Sequence, residues 1–161
     1  MESKSYTQPS TFIVIVMSAL LVLFVSLFIN HGFSPDSETY LYAFLILIFL
    51  VCLLLFHKLT IMADRTTVSF KLGIGFGRSY KTADIISCKA VKNLWIYGMG
   101  IHQIPNGWLY NVSGLKAIEL RFKDSSRVIR LGTNRPDEIA GMITELIGAG
   151  NKPEDNIPVS R

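Results

Sequence analysis

Apolar residues are distributed along this chain in two different ways. Over residues 11–29 and again over 40–56 they run on without a charge, whereas beyond Lys58 they alternate with polar ones. At about 1.5 Å per helical residue the two runs would reach roughly 28 and 25 Å, close to the ~30 Å hydrocarbon thickness of a bilayer. Two transmembrane helices, 11–30 and 40–57, are therefore expected, joined by a short external loop that returns the chain to the side it started from. The leader MESKSYTQPS carries one lysine and one glutamate, the first run is too long for a signal-peptide core, no small-residue cleavage site follows, and a second span comes directly after. Both helices are expected to be retained.

The remainder reads as a soluble domain, 58–148, large enough for one modest core. In Thr67-Val68-Ser69-Phe70-Lys71-Leu72 the apolar residues share one face of a strand, and Ile118-Glu119-Leu120-Arg121-Phe122-Lys123 splits in the same way. Asp124-Ser125-Ser126 then makes a turn into 127–131, which reads as a hairpin partner. Further strands are expected at 59–63, 75–80, 86–91 and 108–112. Seven antiparallel strands with short turns suggest a curled sheet or partly open barrel. Near the end, Thr133-Asn134-Arg135-Pro136-Asp137-Glu138 supplies a cap candidate, an early proline and first-turn acids. Ile139, Met142, Ile143, Leu146 and Ile147 follow at helical spacing, so an amphipathic helix should cover the open end of the sheet. Residues 149–161, with two prolines and no periodicity, read as a disordered tail, and residues 1–10 as a cytoplasmic leader.

This outline, together with Asn93-Leu94-Trp95-Ile96-Tyr97-Gly98-Met99-Gly100-Ile101, Pro105-Asn106-Gly107-Trp108-Leu109-Tyr110-Asn111-Val112-Ser113-Gly114, Ala117-Ile118-Glu119-Leu120 and Arg130-Leu131-Gly132-Thr133-Asn134, resembles small bacterial membrane proteins that carry a pleckstrin-homology-like (PH-like) domain behind a two-helix anchor. The resemblance covers 59–147 and the preceding hairpin, and is most specific over 95–114. It implies an α+β PH-like fold, in which a helix caps the barrel, in a bacterial inner membrane; it brings no activity with it. Eukaryotic PH domains hold phosphoinositide head groups through basic residues near the first hairpin. Here that hairpin has Asp64 and Arg65, or the 73–77 turn, without a dense basic cluster, so that site is not carried over.

Charge sets the orientation. The loop 30–39 has no lysine or arginine, while Lys4 precedes the first span and Lys58 and Arg65 follow the second. The positive-inside rule therefore puts both termini in the cytoplasm. The formal net charge of +4 is uneven: residues 58–135 hold thirteen Lys/Arg against four acids. A domain so basic suits an anionic membrane surface, with Lys58 and Arg65 as candidate membrane-facing residues, although attraction to the leaflet fades within a Debye length.

Reactive chemistry is scarce. Cys52 falls in the second span and Cys88 in an expected strand, neither placed for a disulfide or a metal. His31, His57 and His102 are far apart in sequence. The glycines of 73–77 lack the Gly-Lys-Ser/Thr of a phosphate loop and read as a turn between strands. No catalytic set, cofactor site or nucleic-acid signature is visible, and no ionisable residue interrupts either span to mark an ion path. The unusual feature is the aromatic and glycine-rich stretch of Trp95, Tyr97, Gly98, Gly100, Trp108 and Tyr110, which reads either as packing under a long connection or as a surface that docks on lipid or protein. The expectation is thus a non-enzymatic, membrane-anchored module that recruits a protein partner through this surface or an edge strand, in contact with membrane lipids and with homo-oligomerisation left open. A module that senses anionic lipid is the alternative.

Overall fold

The computed structural model describes residues 4–123 and 125–150. Its two long helices, α1 (Thr11–His31) and α2 (Ser37–Phe56), form a hairpin that projects from the rest of the chain. Both are long and apolar enough to cross a membrane, and almost nothing in them is buried: Ile13 in α1 and no residue in α2. A core helix of a soluble protein would bury one face. These expose apolar side chains all round, as helices in an apolar solvent do. Phe24 and Phe49 stack between them at 5.4 Å.

The helices meet more closely than the apolar runs imply, because α1 continues to His31 and α2 begins at Ser37 rather than residue 40. Asp36 is the cause. Its carboxylate accepts the Thr39 backbone N–H at 2.9 Å and lies 3.0 Å from His31 Nε2. An Asp N-cap with an acid in the first turn, here Glu38, is an ordinary helix-start signal, and it outweighed the polarity of residues 37–39.

The described residues form nine strands in two open sheets. The first has the order β1-β2-β3-β4, from Lys4–Pro9 (β1), Lys58–Ala63 (β2), Thr67–Leu72 (β3) and Phe76–Lys81 (β4), all antiparallel. The second has the order β5-β8-β9-β7-β6, from Ile85–Lys92 (β5), Gly100–Ile104 (β6), Gly107–Asn111 (β7), Lys116–Phe122 (β8) and Val128–Gly132 (β9). Three features depart from the expected seven-stranded antiparallel barrel. The sheets stay open. Two strands, β1 and β6, were not anticipated. And β7 runs parallel to β9. The last follows from laying the β6–β7 and β8–β9 hairpins side by side with their second strands in contact. Alternation tells which residues share a face and says nothing about which strand lies next door.

Strand β1 lies in the segment read as a leader. It pairs with β2 from Lys4↔Ala63 to Pro9↔Lys58, so one ladder joins the residues just before α1 to those just after α2. Both feet of the hairpin therefore stand at the same edge of the domain.

The core lies between the sheets, where Leu59, Ile61, Val68, Phe70 and Leu72 face Ile118, Leu120, Ile129 and Leu131. Helix α3 (Pro136–Gly150) packs across β5 and β8. Its stripe supplies the buried Ile139 and Ile143, with Met142, Leu146 and Ile147 packed alongside. A helix thus seals the gap where a barrel would need strands to pair. It also carries the ordered chain to Gly150, past the expected boundary at 148; residues 151–161 of the expected tail lie outside the described residues.

Candidate functional site

Three contacts join the domain to the helical hairpin and define a helix-proximal end. First, Ser10 is fully buried at the start of α1. Its N–H donates to the His57 carbonyl at 2.9 Å, and its hydroxyl donates to the Val112 carbonyl, just past β7. Second, the β3–β4 turn closes on the end of α2, where the Ile74 N–H donates to the Leu54 carbonyl at 3.2 Å. Gly73 permits this. Its φ is +51°, and a Cβ there would meet the Leu54 carbonyl oxygen at 2.1 Å. Third, Met99 and Gly100 line an apolar groove of about 270 Å³ with Phe12, Ile13, Val16, Met17, Cys52 and Phe56 of the helices. Val16 and Met17 lie roughly 8–9 Å along α1 from its start at Thr11.

The aromatic stretch divides in two. Leu94, Trp95 and Ile96, in and beside a single 3-10 turn, are 63%, 80% and 71% exposed, in the same loop as Met99. A run of three large apolar side chains at such exposure is unusual for a surface in water. The loop is held by Asn111, whose Nδ2 donates to the Gly98 carbonyl at 2.8 Å and the Gly114 carbonyl at 2.9 Å. Gly98 makes the bend with φ +55°. Tyr97 is half-buried, its ring 6.5 Å from His102, and Gly100 lies at the groove. Trp108 is partly exposed, but at the other end of β7, opposite Gln103 and Ile129. Tyr110 is not at the surface. It is 2% exposed, with its ring 4.5 Å from Phe70 and 5.6 Å from Phe76, because β7 turns it toward the core. The six residues therefore form no single surface. Trp95 belongs to the helix-proximal end, Trp108 to the remote end and Tyr110 to the core.

The basic residues separate in the same way. Lys58 begins β2 at the foot of α2, but Arg65 lies in the turn beyond Ala63, at the far end of a six-residue strand. At ~3.3 Å per residue that is about 20 Å away, more than twice the ~8 Å Debye length. The largest arginine group is also remote from the helices. There Arg121, Arg127 and Arg130 line a groove of about 360 Å³ with Glu119, Asn106 and Ser125. Two of these arginines are already engaged, since Glu119, 5% exposed, takes Arg121 and Arg130 at 2.8 Å each. Burial raises the Glu119 pKa, but the two guanidinium hydrogen bonds outweigh it and leave the carboxyl below its usual range. The Arg127 guanidinium lies 5.1 Å from the Phe122 ring.

Nucleophile and metal chemistry are sparse. Cys88 is buried beneath α3, and desolvation pushes its thiol up to about 12. Among the described residues no three His, Cys, Asp or Glu side chains are arranged so that they could hold a metal ion.

Several residues of the helix-proximal end were missed from the sequence: Ser10, Leu94, Ile96, Met99 and the cross-strand lysines Lys92 and Lys116. For Leu94 and Ile96 a signal existed, since they flank Trp95 directly after a strand that ends in lysine. Ser10 had no such signal, because its partners are 47 and 102 residues away. In comparisons with known proteins, no family model matches the chain and no curated protein matches it.

Proposed function

We propose that this chain is a non-enzymatic membrane module, anchored by the α1–α2 hairpin in a bacterial inner membrane, whose cytoplasmic PH-like domain docks on the lipid surface. One observation carries the reading: Leu94, Trp95 and Ile96 stand exposed in the loop whose Met99 and Gly100 reach the helices one to two turns above their feet. With the hairpin in a bilayer, that loop lies at the interface, where an amphipathic indole is most favourable. Ile74, 60% exposed at the foot of α2, is a second contact of the same kind. The cytoplasmic orientation rests on the lysine and arginine asymmetry about the two spans. The PH-like assignment rests on two sheets around one core with a C-terminal helix over their gap. The parallel β7–β9 pair and the N-terminal strand are departures from that pattern.

Recruitment of a protein partner is the second reading, favoured by β4. This strand is an edge of its sheet and largely exposed, so an extended peptide could add beside it. One experiment separates the two. A photo-crosslinking residue is placed at position 95, and separately at 79, in the full-length chain in its native membrane. Lipid adducts at 95 are the expected result. A discrete protein adduct at 95 overturns lipid docking, and one at 79 alone adds recruitment through β4.

A further inference from the structure

The groove beneath the Met99 loop is walled on three sides. Val16 and Met17 lie on one stripe of α1, and Cys52 and Phe56, four residues apart, on one stripe of α2, so the helices form the sides of a furrow. Met99 and Gly100 close it at the domain end. The closure is held in place. His102 Nε2 lies 3.1 Å from the Met99 carbonyl, Gly100 takes φ +127°, and the Asn111 amide donates to the Gly98 carbonyl at 2.8 Å. The lining side chains are apolar throughout, Cys52 acting as a small hydrophobe, and they enclose about 270 Å³. Phe12 lines the groove and is 64% exposed, so the space is continuous with the outer surface of the hairpin. Its depth decides what can fill it. By helical rise, Val16, Met17 and Cys52 sit about 6–9 Å from the helix feet, within the hydrocarbon once the hairpin spans a bilayer. A water-soluble peptide does not reach that depth, and an empty groove forfeits the dispersion contacts of all its walls. Lipid tails are there in excess. They are as apolar as the walls, so no hydrophobic effect favours the groove over other helix faces; contact on three sides rather than one does.

We propose that this groove is a binding site for one acyl chain of a membrane phospholipid, with the ester end beside Met99 and the methyl end toward the middle of the bilayer. The held chain bridges the hairpin and the sheet domain. With no charged side chain among the described residues that line it, the site selects a chain and not a head group. It rests on the membrane anchoring in the reading above and adds a discrete lipid to it.

The test uses the full-length chain in nanodiscs of phosphatidylcholine or of phosphatidylglycerol, on a Trp108→Phe background that leaves Trp95 as the sole tryptophan. Quenching of Trp95 by bromine-labelled acyl chains reports docking; phospholipid retained per protein after extraction and washing in detergent reports the groove. The expected result is quenching in both lipids and equal retention of both, falling about tenfold when Val16→Phe/Cys52→Phe fills the furrow. Retention should also fall in Met99→Ala, which opens the closed end without adding bulk. It should stay unchanged in Ile15→Phe, on another face of α1 at the same depth, where the side chain is exposed. Retention unaltered by the filled furrow, with Trp95 still quenched, overturns the acyl-chain site and leaves docking intact. Absence of quenching in both lipids overturns docking and, where the filled furrow still loses lipid, leaves the chain site standing. Retention of phosphatidylglycerol alone overturns selection by the chain in favour of the head group. Displacement by micromolar oleate makes the occupant a free fatty acid, and a disulfide mapped between the Cys52 thiols of two copies makes it a second copy; either overturns the phospholipid.

Discussion

At the end of the domain remote from the helices Glu119 and Asp64 are fully partnered; at the helix-proximal end the described residues offer Lys92, Lys116 and the Asn93 amide no partner. Glu119 is held by two arginines in the remote half. In the remote β2–β3 turn, Asp64 accepts the Thr66 hydroxyl at 2.6 Å and the backbone N–H groups of Thr67 and Thr66 at 2.7 Å each, and these hydrogen bonds, the hydroxyl's first, bring its carboxyl down to about 2. Next to the helices, Lys92 and Lys116 face each other without a carboxylate, Asn93 has no partner for its amide, and three large apolar side chains are exposed. The first pattern suits a surface in water, where groups satisfy one another or are hydrated. The second suits a surface completed by something outside the chain. A basic domain need not carry its basic groups beside its apolar helices, and here the densest arginine cluster is remote from them.

The sharpest way to break this comparison is to truncate two aromatics from the same stretch. Tyr110→Ala should lower the stability of the sheet domain by about 3–5 kcal/mol through the cavity it leaves against Phe70 and Phe76. Trp95→Ala should change it by no more than about 0.5 kcal/mol. Thermal unfolding of the full-length protein in nanodiscs, followed by near-ultraviolet circular dichroism, reads both. Equal losses would show Trp95 to be packed, and the helix-proximal end would no longer differ from the core.

A smaller effect is expected at the paired end. Glu119→Gln should cost about 2 kcal/mol at neutral pH by weakening its charge-assisted hydrogen bonds. Because the folded-state pKa of Glu119 lies below the unfolded value, the native carboxylate contributes stability above the unfolded pKa, and that contribution is lost as pH falls through the folded one. The gap between wild type and Glu119→Gln should therefore close on acidification below about pH 4. A gap independent of pH would mean that the arginines do not stabilise the charge.

The smallest effect lies at the junction. Ser10→Ala removes the buried hydroxyl bond to the Val112 carbonyl and should cost about 1–2 kcal/mol. Spin labels on the remote β2–β3 turn and in α1 should then report a broader distance distribution, since the domain loses one of its three attachments to the hairpin. An unchanged distribution would mean that the β3–β4 turn and the Met99 loop hold the domain without Ser10.

The two long apolar helices, seven of the nine described strands and α3 were legible because each depends on local repetition: unbroken apolar runs, a period of two, a period near 3.6. Such patterns arise wherever a segment must present one kind of surface to its surroundings, and they need no knowledge of the neighbour. What remained hidden depends on neighbours. Strand β1, Lys4–Pro9, carries only Tyr6 to pack on the core and is otherwise without an apolar pattern; it is a strand because β2 offers it a free edge. The parallel β7–β9 contact, the burial of Tyr110 but not Trp95, and the removal of Arg65 to the remote end follow from how hairpins are stacked, and alternation carries no such information. The sequence alone decided that a helical hairpin precedes a small basic sheet domain, since solvent preference is a property of each side chain. Only the tertiary structure decided which end of that domain meets the hairpin, because this depends on contacts such as Ser10 with Val112, between residues far apart in the chain.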